Sequence, residues 1–247
     1  MASSKRQLIK RNGKKPVAFF YQDEARFGKL SHTYSAVITN SYGCSDSASV
    51  LITVIPCNTN LSVKLFIEGY YAGVQNMLPV KMNQGIGNSS TDVDDITVEL
   101  RQPTAPFALV ATTSAELKTN GSALATFPAA LNGNYYIVVK YRNAIETWSA
   151  EPVPMNTNAS YDYSIAANEA FGSNQGEVGN GVWAIFSGDI NQDGVIDGLD
   201  YNDWENDSNN FAGGYFSTDL NGDGIVDGLD FIYWEQNSNN FVGAVVP

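Results

Sequence analysis

Apolar and polar residues alternate with a period of two along much of residues 60–187, as half-buried strands require. Leu61–Ile67 reads LSVKLFI, and Ile96–Leu100, Phe107–Thr112, Ala123–Phe127, Tyr135–Tyr141, Ser160–Ile165 and Val182–Phe186 are similar short runs. They are rich in Val, Ile, Tyr, Phe and Thr, whose branched or flat side chains pack well on a pleated surface. Gly, Asn and Pro clusters separate them, among them Asn132-Gly133-Asn134. Roughly seven such runs in one segment predict an antiparallel β-sandwich. Upstream, TYSAVITN (33–40) and SASVLITV (47–54) predict one more hairpin. Two strands alone do not make a stable unit. The pattern turns helical only near the end of the chain, from about Leu199 to Glu205 and from about Leu229 to Gln236.

Those two helical stretches belong to an internal repeat. Asp189–Phe211 (DINQDGVIDGLDYNDWENDSNNF) and Asp219–Phe241 (DLNGDGIVDGLDFIYWEQNSNNF) are offset by 30 residues and identical at 14 of 23 positions. In each, Asp, Asn and Asp stand at loop positions 1, 3 and 5, Gly at 6, and Asp at 9 and 12. The first set is Asp189, Asn191, Asp193, Gly194, Asp197 and Asp200; the second is Asp219, Asn221, Asp223, Gly224, Asp227 and Asp230.

The spacing has a chemical reason. A hard divalent cation takes six to eight oxygens, and alternate residues of a tight loop aim theirs inward, with Gly permitting the sharp turn. Position 7 (Val195, Ile225) offers a backbone carbonyl. Position 8 (Ile196, Val226) is apolar and pins the loop to a core. An all-oxygen set without His or Cys favours Ca²⁺ over Zn²⁺, and Mg²⁺ prefers fewer protein ligands. Four carboxylates in twelve residues repel one another without a cation, so binding and folding are expected to be coupled. Two Ca²⁺ ions are expected.

Composition sharpens this picture. The 247 residues are 43% apolar but only 16% charged, with 22 Gly and 13 Tyr, which disfavours long solvated helices. The longest apolar runs, such as Val50–Pro56, fall far short of the roughly 20 residues that span a bilayer. The net charge of −12 argues against nucleic acid as a partner. That charge is zoned: residues 1–30 carry +6, residues 31–188 carry −6, and residues 189–247 hold twelve acids and no Lys or Arg. The expected organisation is a basic, poorly ordered segment at 1–30, a hairpin at 31–57, a sandwich at 58–187 and a tandem cation-binding repeat at 188–247. Pro16–Tyr21 is too short for the apolar core of a secretory signal. Cys44 and Cys57 leave both their pairing and the redox compartment open.

Other candidates point less sharply. Tyr201 with Trp204, and Phe231 with Trp234, share a helix face at i, i+3 and form either a small core between the repeats or a partner-binding face. Asp92, Asp94 and Asp95 form either a further cation site or a solvated loop. The aromatics Tyr70, Tyr71, Tyr135, Tyr136, Trp148 and Trp183 are expected in the core rather than stacked on sugars. No Ser/His/Asp set forms around the lone His32, and no carboxylate pair for glycoside hydrolysis can be picked out, so no catalytic role is assigned.

The duplicated loop, ending in Asp at position 12 and lacking a helix before Asp189, resembles the type I dockerin repeat over residues 188–247. That resemblance implies two EF-hand-like calcium loops, each followed by a helix. It also implies a cohesin-like protein partner bound through those helices, and attachment within extracellular polysaccharide-degrading assemblies. Gly198-Leu199 and Gly228-Leu229 depart from the Ser/Thr-type pair many dockerins carry at positions 10 and 11. Residues 60–247, through LSVKLFIEGYY, DDITVELRQ, YYIVVKYRNAIETWSAEPV, SYDYSIAANEAFG and SGDINQDG, look like a C-terminal module of secreted Bacteroidetes-type proteins. TNSYGCSDSASVLITV resembles the last strands of a polycystic-kidney-disease-type or immunoglobulin-like repeat. These resemblances imply an immunoglobulin/prealbumin-like sandwich, an extracellular or cell-surface location and no active site in this chain. FFYQDEARFG (19–28) looks like the strand-end motif of mariner-like insertion-sequence transposases, with Asp23 at the catalytic position. It implies a transposon remnant fused to the tail of a surface protein. The alternative to a docking module is a calcium-stiffened adhesin or stalk segment, and a remoter one is part of a glycoside hydrolase or a transposase fragment.

Overall fold

The computed structural model describes residues 6–8, 17–21, 31–39, 42–53, 58–128, 131–156 and 158–247. The chain divides into two compact units, Met1–Cys57 and Asn58–Pro247.

The first unit is one antiparallel sheet in the order β1-β2-β3-β4, with β1 at Arg6–Leu8, β2 at Val17–Tyr21, β3 at Ser31–Thr39 and β4 at Ser45–Thr53. β3 and β4 pair over nine residues, from Ser31↔Thr53 to Thr39↔Ser45. The expected hairpin is therefore present, and β2 joins it through Val17↔Thr39 and Ala18↔Ile38. Among the described residues of 1–30, Arg6–Leu8 and Val17–Tyr21 are strands of this sheet. A third strand satisfies an edge that a bare hairpin leaves open. Asp23 and Cys57 lie outside the described residues, as does any contact between Cys57 and Cys44.

The second unit holds β5 (Thr59–Lys64), β6 (Tyr71–Gly73), β7 (Asn76–Met77), α1 (Val80–Asn83), β8 (Asp92–Arg101), β9 (Leu109–Lys118) and β10 (Ser122–Phe127). It continues with β11 (Gly133–Tyr141), β12 (Ala144–Trp148), β13 (Val153–Met155), β14 (Asn158–Asp162), β15 (Gly176–Gly179), β16 (Val182–Ala184), α2 (Gly198–Asn209) and α3 (Gly228–Asn239). One main sheet runs β12-β11-β8-β9, with β13 also on β11, and the second runs β10-β5-β14; β6-β7 and β15-β16 form two-stranded ribbons. The architecture is mainly β and mostly antiparallel, as the alternation predicts. One pairing differs: β14 lies parallel to β5, from Asn158↔Asn60 to Asp162↔Lys64.

The alternation of β10, with Ala123, Ala125 and Phe127 inward and Ser122, Leu124 and Thr126 outward, shows how one face was selected for burial. Leu61, Val98, Leu100, Phe127, Ile137 and Tyr163 fill the space between the sheets. Each such side chain contributes about 1.5–3 kcal/mol by leaving water. Gly121 turns β9 into β10 at φ +82, and a Cβ there would lie 2.7 Å from the carbonyl oxygen of Leu65. Of the six aromatics expected in the core, Tyr70, Tyr136 and Trp148 are buried, whereas Tyr71, Tyr135 and Trp183 are only half-buried.

The run expected at Phe107–Thr112 begins later and extends to Lys118. Phe107 turns at φ +54 and packs edge-on against Tyr136 and Trp148. Thr113–Lys118 escapes a hydropathy reading because only Ala115 and Leu117 face inward. The β11–β12 hairpin turns through Arg142 and Asn143. That turn carries both side chains to the end of the sandwich where the repeat sits.

Candidate metal centre

Both expected helices form, as α2 and α3, each directly after its acidic loop. Asp197 and Asp227 are their N-caps, and Asp200 and Asp230 complete capping boxes three residues on. Each cap oxygen thereby satisfies a helix N–H that has no intrahelical partner.

Around positions 3, 5 and 12 the two loops share the same hydrogen bonds. Asn191 Oδ1 accepts from the Asp193 N–H at 2.8 Å, and Asn221 Oδ1 from the Asp223 N–H at 2.8 Å. Asp193 Oδ1 accepts from Val195 N–H at 3.0 Å, and Asp223 Oδ1 from Ile225 N–H at 2.9 Å. Asp200 Oδ1 accepts from Ile190 and Asn191, and its Oδ2 from Asp197. Asp230 does the same with Leu220, Asn221 and Asp227. Gly194 and Gly224 both sit at φ +90, a conformation that strains a residue bearing Cβ.

The two units are bound to each other reciprocally. Trp204 Nε1 donates to Asp227 O at 3.0 Å, and Trp234 Nε1 to Asp197 O at 2.7 Å. Tyr201, Trp204, Phe231 and Trp234 pack ring against ring between the helices. The small-core reading of these aromatics therefore describes their contacts. Position 8 is buried in both loops, and Ile196 packs with Ile145, Val242 and Trp234.

The position-1 and position-12 aspartates are buried in both loops, whereas Asp193 and Asp223 are exposed. Burial raises the carboxyls of Asp189, Asp200, Asp219 and Asp230. Asp189 is pushed up to about 7 by burial first and then by the charges of Asp200 and Asp193. Asp230 is also pushed up to about 7, by burial first, with the charge of Asp219 adding to it. Asp189 Oδ1 is buried without a hydrogen-bond partner. A cavity of about 280 Å³ opens there, lined by Asp189, Gln192, Asp193, Lys140 and Glu146 among others.

Among the described residues, no three Asp, Glu, His or Cys side chains converge into a ready-made metal cluster. Apart from Asp189, the loop carboxylates are engaged with backbone N–H groups. The donor set nonetheless fits a hard cation. It is all oxygen, and the buried Asp189 Oδ1 has an acceptor capacity that nothing else uses.

The second candidate cation group resolves differently. Asp92 pairs with Lys118 at 2.8 Å and Asp95 with Lys81 at 3.1 Å. Asp94 is buried against Arg142, Tyr141 and Tyr215. The three carboxylates thus serve ion pairs and a buried polar network, neither a cation site nor a solvated loop.

That network joins the repeat to the sandwich, and alternation patterns gave no hint of it. Arg142 Nε donates to Asp94 Oδ2 at 3.0 Å and its Nη2 to Gln84 Oε1 at 2.8 Å, while Nη1 donates to Phe216 O. Asn143 Nδ2 donates to Ser217 O and Asp219 O at 3.0 and 3.1 Å. Glu68 Oε2 accepts from Asn237 Nδ2 at 2.6 Å. The segments expected to divide at residue 188 therefore pack on each other within one compact unit.

No protein-family model matches the chain, and no curated protein matches it. Solved structures give distant likenesses. Two are interface mutants of a type II cohesin–X–dockerin complex from Acetivibrio cellulolyticus. The N-terminal interface mutant has a TM-score of 0.44 at 14% identity, covering 74% of this chain and 97% of that chain. The C-terminal interface mutant has a TM-score of 0.44 at 16% identity, covering 76% and 97%. A third, the major pilin subunit BcpA of Bacillus cereus, has a TM-score of 0.29 at 10% identity, covering 57% of this chain and 39% of that chain. These likenesses are too distant to assign a family. No helix among the described residues is long and apolar enough to cross a membrane.

Proposed function

We propose that this chain is a calcium-binding docking or anchoring module of an extracellular protein. Each acidic loop holds one Ca²⁺ ion through Asp189, Asn191, Asp193, Val195 O, Asp197 and Asp200, or through Asp219, Asn221, Asp223, Ile225 O, Asp227 and Asp230. The observation that carries the reading is the matched pair of loops with buried position-1 and position-12 aspartates, one of which keeps an unpartnered oxygen. Bound calcium supplies positive charge that offsets the carboxylate repulsion. The residues themselves fix the loop turns, cap the helices and bury the apolar position 8.

Docking is supported by apolar side chains left exposed in the repeat. Leu199 and Leu229 are 57% and 55% exposed at matching positions, and Ile232 is 52% exposed on α3. A cohesin-like protein is the partner the sequence resemblance implies, within a system acting on polysaccharide. Capture of a cohesin domain by the full chain, with calcium and with EDTA, tests this. Calcium-dependent capture supports docking.

The second reading is a calcium-stiffened stalk or adhesin segment. The aromatic packing between α2 and α3 favours it, because those rings serve the repeat's own core. A calcium-dependent rise in melting temperature with no capture would select it.

A further inference from the structure

We infer that Gln84 is a positioning residue for the cation of the second loop, and that it makes this site the tighter of the two. The inference rests on the calcium reading above.

The loops match internally but differ in what they rest on. The second loop lies against the sandwich. A Cβ on Gly222 would meet Val80 Cγ2 at 2.6 Å, and one on Gly224 would meet Asn83 O at 2.5 Å. Asn83 Nδ2 donates to Gly222 O at 2.8 Å. Gln84, itself buried, donates from Nε2 to Asp219 Oδ2 at 2.6 Å. Its amide cannot turn over without loss, because Oε1 accepts from Arg142 Nη2 and Arg142 is held by the buried Asp94. A chain of bonds thus runs Asp94–Arg142–Gln84–Asp219.

The Asp219 carboxylate also accepts from Gly222 N–H at 2.7 Å and Gly224 N–H at 2.8 Å. A carboxylate has about four acceptor sites, so one remains for a cation. The first loop lacks the side-chain donor that Gln84 gives the second. Gln192 stands in place of Gly222, and its Nε2 donates to the Asp189 backbone carbonyl rather than to the carboxylate. Among the described residues, no side chain donates to the Asp189 carboxylate, which faces the 280 Å³ cavity. A ligand already oriented by an outer donor loses less freedom when it takes a cation.

Calcium titration of the full chain in two backgrounds tests the inference. Asp193→Ala leaves the second loop to bind, and Asp223→Ala leaves the first. The expected result is tighter binding in the Asp193→Ala chain. Adding Gln84→Ala should weaken that chain about 10–100-fold and leave the Asp223→Ala chain unchanged. Equal losses in both backgrounds, or no loss in either, would overturn the inference. If Gln84→Ala fails to fold, the comparison of the two single-loop chains still decides, and an equal or reversed order overturns it. An unsubstituted chain that binds no calcium overturns the calcium reading itself. Binding with two equal sites overturns only this inference.

Discussion

Gly69 in the sandwich lies so close to Leu220 in the second loop that a Cβ on Gly69 would stand 1.9 Å from the Leu220 carbonyl oxygen. The obstacle is backbone on both sides, so no rotamer change relieves it. Gly69→Ala is expected to destabilise the chain by about 3 kcal/mol, as overpacking in a tight interior does. Chemical denaturation should show the loss, and an unchanged midpoint would mean the loop can lift off the sandwich freely.

Glu68 ties the sandwich to α3 through Asn237, and burial raises its carboxyl above the usual value. The folded state therefore holds this proton more tightly than the unfolded chain does. The stability it contributes is complete below the unfolded pKa and is lost as pH rises through the folded one. In EDTA, the slope of stability against pH above about 4.5 should be more negative for the unsubstituted chain than for Glu68→Gln. Parallel pH profiles would show that Glu68 is not desolvated in solution.

Ile196 is buried at loop position 8 with Ile145 and Val242. Truncation to Ala should cost about 2–5 kcal/mol through lost burial and a residual cavity. Melting followed by circular dichroism checks it. A change below about 1 kcal/mol would place the first loop in a looser setting than the one described.

Trp204 and Trp234 each donate an indole N–H to the other repeat. Replacing either by Phe keeps an aromatic ring and removes one hydrogen bond, for an expected loss of about 1 kcal/mol. Matching losses for the two variants would confirm that the reciprocal arrangement persists in solution, and a loss in one alone would show that it is lopsided.

Much of this was legible in the sequence because the signals were local. The repeat fixes loop positions by spacing, and its Gly and apolar positions take the turn and core places expected of them; the helix-capping role of Asp197 and Asp227 came only with the structure. Most strands of the sandwich announced themselves by alternation, although the second half of β9 did not. The remainder depended on distant partners. β12 is short and mixed in composition, so nothing local marks it, yet it creates the Arg142-Asn143 turn. The parallel pairing of β14 depends on which edge the chain returns to. Asp92, Asp94 and Asp95 read as one acidic cluster, but Lys81, Lys118 and Arg142 that neutralise them come from three other places in the chain. Gln84 and Gly69 carry no motif, and their roles emerge only where the second loop meets the sandwich.

Removing both position-5 aspartates addresses the proposed calcium sites without disturbing the sandwich. Asp193 and Asp223 are exposed, and each bonds to the N–H two residues on. Asp193→Ala with Asp223→Ala should abolish any calcium-dependent rise in melting temperature. An undiminished rise would place the cation elsewhere.

The most direct measurement is calorimetric titration of Ca²⁺ into the full chain after EDTA treatment and dialysis. The account predicts saturable binding of two ions per chain, through the two twelve-residue loops that begin at Asp189 and Asp219. No binding at millimolar calcium would contradict it.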